Sequence, residues 1–258
     1  MMFLLRWLGD WSATDMAFKT FPLTVVGVEL ITPTILALRF EREDGEPFEY
    51  TAGQFINIHF EVDEQPVHRS YSIASPPGSG EIEVAISPVK GGRATELLFN
   101  LKVGDTINAS GPYGRFVLRD DEPCRYILAA TGTGVTPYRA MLPALKELLG
   151  KGFTIDILLG IWRREEALYA QDFIDFCNDN NGAVFHACYS REMPEEPAVH
   201  ESEGYVQIHI AALDPRPETD IVYLCGNPDM IDEAMEMLKA REFPTRQLRR
   251  EKYLPAKA

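Results

Sequence analysis

Four consecutive residues carry the side chains that suit a phosphate and a planar ring. Arg69, Ser70, Tyr71 and Ser72 stand together in a β-rich segment. A guanidinium offers phosphate oxygens a planar, permanently charged fork, and a tyrosine offers a flat ring with a hydroxyl. The stretch therefore suits a phosphorylated ligand with a planar ring. Taken without other motifs, however, it favours an ordinary strand with an edge arginine.

A glycine turn in the second half of the chain is another candidate for phosphate binding. Thr131, Gly132, Thr133 and Gly134 stand between a predicted strand and a predicted helix that begins near Pro137. Glycine permits a tight turn, and the N-terminus of a helix presents free amides to an anion. The turn lacks the GxGxxG dinucleotide pattern, so its meaning depends on this strand-helix context.

The elements that would position these residues fall into two regions of different pattern. Residues 19–120 contain short alternating apolar runs, such as 55–60 and 82–86, separated by Gly and Pro clusters. This pattern is typical of antiparallel strands, and closing them into a barrel would remove exposed sheet edges. One short helix is predicted at 95–100.

Residues 121–258 instead alternate apolar strands with amphipathic helices. This alternation predicts a doubly wound parallel sheet that binds ligands beyond the carboxyl ends of its strands. The fold class expected for the whole chain is therefore β + α/β. The predicted elements are strands at 126–130, 153–159, 184–189 and 221–225, a helix with apolar positions 138, 141, 142, 145, 148 and 149 that Pro143 could kink, and helices at 165–178 and 228–240.

Length and composition narrow the function classes. A chain of 258 residues is near the usual limit for one core, which favours two domains. The net charge of -14 argues against a nucleic-acid partner. The four cysteines are scattered, so we expect no metal site and no disulfide framework, and a cytoplasmic location. We also expect a monomer without membrane association.

Taken in order, the motifs resemble those of the ferredoxin-NADP reductase family, bacterial type. The stretch at 69–72 is similar to the flavin-binding signature, and the turn at 131–137 is similar to the NADP-binding turn. Cys225 and Gly226, before a predicted helix, resemble the motif on the nicotinamide side. The resemblance covers roughly residues 20–253, and the shared order of the motifs is more specific than any one of them.

This resemblance implies FAD on a barrel formed by residues 19–120. Arg69 would pair with the pyrophosphate, Tyr71 would pack against the isoalloxazine, and Ser72 would lie close to the flavin N5. Glycine amides and a hydroxyl at a helix start would make a second phosphate contact. The implied FAD contacts are Arg69, Ser70, Tyr71, Ser72, Ile86, Gly91, Gly92, Thr95 and Tyr253.

The resemblance also implies NADP(H) on residues 121–258. Arginine and hydroxyl donors follow two successive predicted strands, and such donors suit the dianionic 2′-phosphate that distinguishes NADP from NAD. The implied contacts are Thr131, Gly132, Thr133, Gly134, Pro137, Arg163, Ser190, Arg191, Tyr205 and Gly226.

Four residues are expected at the reacting centre. Ser72 would face the flavin, and Cys225 would shape the nicotinamide pocket rather than act as a nucleophile. Tyr253 would cover the flavin face, and Glu251 would relay a proton. A buried structural cysteine is the alternative for Cys225, and a frayed terminus is the alternative for Glu251 and Tyr253.

The implied activity is hydride transfer between NADP(H) and FAD, with single electrons passing between FAD and ferredoxin or flavodoxin. Three alternatives remain open. They are the reductase component of an oxygenase, a free-flavin reductase, and a non-catalytic electron-transfer subunit.

The two ends of the chain carry further expectations. Residues 1–18 precede the first strand pattern and are expected to be a peripheral extension, with Met16 as an alternative start. Residues 239–258 have a local charge of +5, which fits either a solvated face or a docking patch for an acidic partner.

Overall fold

Two six-stranded sheets, one antiparallel and one parallel, contain the strands of the described residues. The computed structural model describes residues 19–62, 65–119 and 122–254. The proposed extension at 1–18, with Met16, lies outside these residues. No helix in the described ranges has the length and apolar character needed to cross a bilayer.

The antiparallel sheet has the strand order β4-β3-β6-β1-β2-β5. An isolated antiparallel bridge between Ile73 and Val84 joins its first and last strands, so the sheet closes. The prediction of an antiparallel barrel is therefore confirmed. Its elements are β1 (Phe21–Leu30), β2 (Leu36–Arg42), β3 (Phe55–Val62), β4 (Gln65–Ser72), β5 (Ile82–Ile86), α1 (Arg93–Phe99) and β6 (Thr106–Tyr113).

The barrel interior is filled by alternate residues of its strands. In β1, Phe21, Leu23 and Val25 are buried while the residues between them are half-exposed. This alternation follows from the two-residue period of a strand, which sends successive side chains to opposite faces. Leu98 of α1 is fully buried in the same core, so the short helix packs on the barrel.

The second sheet is parallel, in the order β10-β9-β8-β7-β11-β12. Helices α2 and α3 pack on one face, and α4 and α5 pack on the other. The predicted doubly wound sheet is thus confirmed. Its elements are β7 (Arg125–Thr131), α2 (Thr136–Gly150), β8 (Thr154–Ile161), α3 (Ala170–Asp179), β9 (Ala183–Tyr189), β10 (Glu201–Glu203), α4 (Val206–Ala212), β11 (Asp220–Gly226), α5 (Pro228–Ala240) and β12 (Leu248–Lys252).

Two helix starts differ from the sequence prediction. Helix α3 begins at Ala170 rather than at 165, because Tyr169 has a left-handed backbone with φ of 56° that no helix can contain. Helix α1 begins at Arg93, two residues before the predicted start. Helix α2 spans Thr136–Gly150 and contains Pro143, as predicted.

The strand order creates a crevice between β7 and β11. The chain leaves β7 toward β8 on one side, whereas β11 lies on the other side of β7. Ala130 and Cys225 are neighbours in this pair, so the two strands end side by side. Open α/β sheets bind ligands at such a switch point, which places the predicted turn after β7 in the expected crevice.

Candidate functional site

The four residues expected at the reacting centre meet where the two sheets come together. The Tyr253 hydroxyl donates to Ser72 Oγ at 2.5 Å, and Ser72 Oγ donates to Glu251 Oε1 at 3.2 Å. Glu251 lies opposite Cys225 in the pairing of β11 with β12. We call Ser72, Cys225, Glu251 and Tyr253 the seam cluster, since Ser72 belongs to the barrel and the other three to the parallel sheet or its end.

Burial sets the protonation of the seam cluster. Burial, together with the charge of Glu251, raises the pKa of the Cys225 thiol well above its usual value, so the sulfur stays protonated and is a poor nucleophile. Burial also raises the pKa of Tyr253 well above its usual value. For Glu251, burial raises the pKa while the hydrogen bond from Ser72 opposes the shift.

Strand β4 carries the flavin-type motif on an accessible part of the barrel. Arg69 and Tyr71 are two residues apart, so they share one face of the strand. Arg69 Nη1 donates to the His68 carbonyl at 2.8 Å, and no carboxylate of the described residues pairs with the guanidinium. Its remaining N–H groups are available to a phosphate. Ser70 Oγ already donates to Asn57 Oδ1 at 2.7 Å.

Tyr71 is suited to covering a planar ring. It is half-buried against the barrel core. Burial raises its pKa to about 12, although the nearby charge of Arg69 opposes the shift, so the hydroxyl remains neutral at ordinary pH.

The turn before α1 leaves room for a ligand next to its backbone. Gly91 has φ of +71°, and a Cβ built on it would meet open space. Gly92 is tighter, because a Cβ there would lie 3.2 Å from Thr95 Oγ1 and 3.0 Å from the Val89 carbonyl oxygen. Ile86, at the end of β5, is 1% exposed, so its side chain fills the barrel core.

The glycines after β7 and β11 allow the two strand ends to approach closely. A Cβ on Gly134 would lie 2.4 Å from the Cys225 carbonyl oxygen, and one on Gly226 would lie 2.6 Å from the Thr131 carbonyl oxygen. The Asn227 amide donates to Thr131 Oγ1 at 2.9 Å, which fixes the two ends together. Any larger residue at these glycines would push the ends apart.

The start of α2 has the features of an anion site. Gly132 has φ of +53° with open space around its Cα, and Thr133 is half-exposed beside it. Thr136 Oγ1 is buried without a hydrogen-bond partner, which is unusual for a buried hydroxyl. Pro137 lies in the first turn of the helix, where its missing N–H costs nothing. These features fit the pyrophosphate of a dinucleotide.

The predicted 2′-phosphate residues collect at the carboxyl ends of β8, β9 and β10. The Arg191 guanidinium lies 4.0 Å from the centre of the Trp162 ring. Ser190 Oγ donates to the Ile161 carbonyl at 3.1 Å. Tyr205, just before α4, is 59% exposed and so offers its ring to a ligand.

The arginines of this edge differ in how far their charge is already balanced. Arg163 lies 3.6 to 4.0 Å from three carboxylates, those of Glu165, Glu166 and Glu192. Arg191 has no carboxylate partner among the described residues, so its positive charge is the more available of the two.

Two other basic side chains, Arg164 and Lys252, form ion pairs within the protein. Arg164 forms a double hydrogen bond to Glu201, and despite burial this donation lowers the pKa of Glu201 to about 2. In the basic segment at the end of the chain, Lys252 pairs with Asp232 at 2.6 Å. The local charge of that segment is therefore partly neutralised.

The contact of Arg139 with Glu83, between the two domains, was not predicted from the sequence. Arg139 of α2 reaches across to Glu83 of β5, with 3.1 Å between Nη1 and Oε1. No local motif marks these residues, since they stand 56 positions apart and meet only in the folded chain.

The described residues contain no group of three or more His, Cys, Asp or Glu side chains that could hold a metal ion.

Comparisons with protein families match the two sheets separately. An oxidoreductase FAD-binding domain matches residues 22–118, and an oxidoreductase NAD-binding domain matches residues 128–236. These matches fit the donors found on each sheet, and the chain accordingly has one domain that binds FAD and one that binds NAD or NADP.

Two curated relatives illustrate the range of similar proteins. Ferredoxin–NADP reductase B of Sorangium cellulosum (strain So ce56) is 32% identical over 231 residues, which are 86% of this chain and 92% of that protein. The reductase component of propane 2-monooxygenase from Rhodococcus jostii (strain RHA1) is 28% identical over 233 residues, 89% of this chain. The match spans only 62% of that longer protein.

Solved structures share the fold. A cytochrome P450 reductase from Amycolatopsis has a TM-score of 0.80 at 24% identity, covering 92% of this chain and 71% of its own. A ferredoxin NADP+ reductase from Neisseria gonorrhoeae, solved with bound FAD and NADP, has a TM-score of 0.78 at 19% identity, covering 91% of this chain and 98% of its own. Since family models match both domains and a ferredoxin-NADP reductase is 32% identical over 92% of its length, this chain belongs to the ferredoxin-NADP reductase family of FAD- and NAD(P)-binding oxidoreductases.

Proposed function

We propose that the protein is an NADPH-dependent ferredoxin-NADP reductase. It would exchange a hydride between NADP(H) and FAD and pass single electrons to ferredoxin or flavodoxin. The observation that carries this proposal is the seam cluster, in which one residue of the barrel and three residues of the parallel-sheet domain come together. Hydride transfer needs both nucleotides at such a point, held within a few ångströms of each other.

The barrel, residues 19–120, would hold FAD. Arg69 would bind the pyrophosphate, and Tyr71 would pack on the isoalloxazine. Gly91, Gly92 and Thr95 would make the second phosphate contact. The flavin, when bound, supplies the step that accepts a pair of electrons and releases them singly.

The parallel-sheet domain, residues 121–258, would hold NADP(H). The open space at Gly132 and the unpartnered Thr136 hydroxyl support binding of the pyrophosphate at the start of α2. The uncompensated charge of Arg191, beside Ser190, supports recognition of the 2′-phosphate. The exposed ring of Tyr205 is suited to packing on the adenine.

Within the seam cluster each residue has a separate proposed role. Tyr253 touches both Ser72 and Cys225, so its ring must move before a nicotinamide can reach the barrel. Cys225, held as a neutral thiol, would shape the nicotinamide pocket. The hydrogen bonds from Tyr253 to Ser72 and from Ser72 to Glu251 form a continuous path along which a proton can pass.

The decisive experiment uses the purified, FAD-loaded protein under anaerobic conditions. We expect a yellow protein whose visible absorbance bleaches on addition of NADPH. Added ferredoxin or flavodoxin should then support cytochrome c reduction well above the rate without a carrier. A colourless protein that does not take up FAD would refute the proposal.

A reductase component of an oxygenase is the second candidate, because a propane 2-monooxygenase reductase component is among the similar proteins. The same assay distinguishes a ferredoxin-NADP reductase from the reductase component of an oxygenase. Bleaching by NADPH without transfer to ferredoxin or flavodoxin would favour the oxygenase reading or a free-flavin reductase. Failure to bleach with a bound flavin would favour a non-catalytic subunit.

A further inference from the structure

A cluster of side chains ties the barrel to the parallel-sheet domain at a short distance from the seam cluster. Arg139 Nη1 donates to Glu83 Oε1 at 3.1 Å and to the Ala74 carbonyl at 3.3 Å, both on the barrel. Arg139 Nε donates to Asp172 Oδ2 of α3 at 2.5 Å. The Tyr169 hydroxyl donates to the same Glu83 oxygen at 2.6 Å. We call these five residues the interdomain clamp.

The barrel side of the clamp lies where the barrel closes. The Ala74 amide donates to the Glu83 carbonyl at 2.7 Å, next to the bridge between Ile73 and Val84. Ala74 is also only two residues beyond Ser72. A displacement of Arg139 would therefore act on the strand end that presents Ser72 to the seam.

The other side of the clamp lies on the dinucleotide turn. Arg139 is in the first turn of α2, directly after the segment proposed to seat the pyrophosphate. A single guanidinium thus connects the proposed NADP(H) site with the strand that carries the proposed flavin contacts. Its planar fork allows simultaneous bonds to Glu83 and Asp172, which a lysine could not make in the same geometry.

Burial and close contacts fix the side chains of the interdomain clamp in place. The Arg139 and Glu83 side chains are 23% and 12% exposed, so their ion pair is largely shielded from solvent. The Arg139 guanidinium also lies 4.3 Å from the centre of the Tyr169 ring. Tyr169 has φ of 56°, which is costly for a bulky residue and persists only where several contacts require it.

We propose that Arg139 is a positioning residue that sets the placement of the two domains for hydride transfer. It does not touch either nucleotide in this scheme. It acts by keeping Ser72 on the barrel opposite Cys225 on the parallel sheet. This inference rests on the proposed function, since only a reaction across the seam makes the exact placement matter.

The test compares Arg139→Gln with Arg139→Lys and a matched control. Arg125→Gln is the control, because Arg125 is a partly buried arginine that contacts Asp156, Asp220 and a carbonyl within one domain. The FAD-loaded proteins are mixed anaerobically with saturating NADPH, and flavin bleaching is followed by stopped flow. A misplacement of about 1 Å can slow a reaction about 100-fold, so Arg139→Gln should bleach at least tenfold more slowly.

Three accompanying results are expected if Arg139 positions the domains. FAD retention and the KM for NADPH should change little, so that the loss is in kcat. Arg139→Lys should recover part of the rate, and Arg125→Gln should bleach as the wild type does. A wild-type rate in Arg139→Gln would overturn the proposal, and so would an equal slowing in Arg125→Gln.

Hydrogen exchange provides a readout that does not depend on activity. In Arg139→Gln the amide of Ala74 and those around Tyr169 should exchange faster, while the strands of both sheets keep their protection. Unchanged exchange at these amides would overturn the clamp even if the rate falls. If wild-type protein fails to bleach with NADPH, the proposed function fails, and the exchange result still decides whether Arg139 couples the domains.

Discussion

At the scale of single residues, Glu251 is a carboxyl group whose surroundings favour its neutral form. It is half-buried at the seam, and Ser72 Oγ is its hydrogen-bond partner among the described side chains. Burial raises its pKa above the usual value, against the effect of that hydrogen bond. The folded protein therefore holds this proton to a higher pH than the unfolded chain does.

Glu251→Gln tests this assignment through the pH dependence of stability. Below the unfolded pKa of Glu, both states are protonated and the wild type keeps the full contribution of the neutral group. As the pH rises, the unfolded chain ionises first, so the wild type loses stability that the glutamine variant keeps. The FAD-saturated variant should have a higher thermal midpoint than wild type at pH 7 and the same midpoint near pH 4.

The exposed Glu195 provides the matched control, since Glu195→Gln should leave the pH profile unchanged. A variant at Glu251 that is less stable than wild type at pH 7 would contradict the prediction. It would mean that the ionised carboxylate is a net favourable partner of Ser72.

Arg191 is the residue expected to discriminate NADPH from NADH. Its guanidinium is oriented by the Trp162 ring and has no carboxylate partner among the described side chains. A charge-assisted hydrogen bond contributes about 1.5 to 3 kcal/mol, so Arg191→Ala should raise the KM for NADPH about tenfold or more with little change for NADH. Steady-state kinetics with both cofactors measure the effect.

Arg163→Ala is the companion variant, because the charge of Arg163 is shared with three nearby carboxylates. Its effect on the KM for NADPH should be smaller than that of Arg191→Ala. If Arg191→Ala weakens both cofactors equally, the assignment of Arg191 to the 2′-phosphate is wrong.

At the scale of elements, the strands of the parallel sheet were predicted because most of their residues are apolar. β7 and β11 are buried at nearly every position, as a central parallel strand requires, whereas β8 contains Asp156 and β9 contains His186 and the exposed Val184. Strand β12 was missed because Leu248–Lys252 contains four charged residues among five and becomes a strand only by pairing with β11. Strand pairing of this kind depends on the partner more than on local propensity.

The same distinction applies to the candidate site. The turn after β7 was predictable because its glycines and following helix are local features of the sequence. The contact of Tyr169 with Glu83 joins residues 86 positions apart, and nothing near either residue indicates it. The start of α3 was wrong for the same reason, since Tyr169 takes its left-handed backbone where its ring and hydroxyl contact Arg139 and Glu83.

Pro143 leads to a prediction about helix α2. Proline removes one helical hydrogen bond and crowds the preceding turn, yet α2 runs through it without a break. Pro143 is exposed, so a smaller residue leaves no cavity. Pro143→Ala should therefore stabilise the protein by about 1 to 2 kcal/mol after allowing for the freer unfolded chain.

Thermal and urea unfolding of Pro143→Ala would measure this gain. Lys146→Ala, an exposed change in the next turn of the same helix, should alter stability by no more than about 0.5 kcal/mol. An unchanged or lower stability in Pro143→Ala would show that the proline is required by the path of α2 near Arg139.

At the scale of the whole molecule, the barrel depends on few contacts for its closure. The two edge strands of the sheet order meet through the bridge between Ile73 and Val84, next to the interdomain clamp. The strand that needs this closure, β4, is also the one that carries the proposed FAD contacts. Bound FAD should therefore stabilise the barrel at β4, where few contacts within the protein hold it closed.

Removal of FAD should lower the thermal midpoint, and added FAD should restore it in a concentration-dependent way. A ligand present at 100 times its dissociation constant that binds only the folded state adds about 2.7 kcal/mol to the free energy of unfolding.

If Arg69 holds the pyrophosphate, Arg69→Ala should need a much higher FAD concentration for the same shift in thermal midpoint. Arg39→Ala, which removes an exposed ion pair with Glu81 on the same barrel, should respond to FAD as the wild type does. An equal FAD response in Arg69→Ala and wild type would exclude Arg69 from the pyrophosphate site. A rise in thermal midpoint caused by NADP+ alone would instead indicate binding to the parallel-sheet domain.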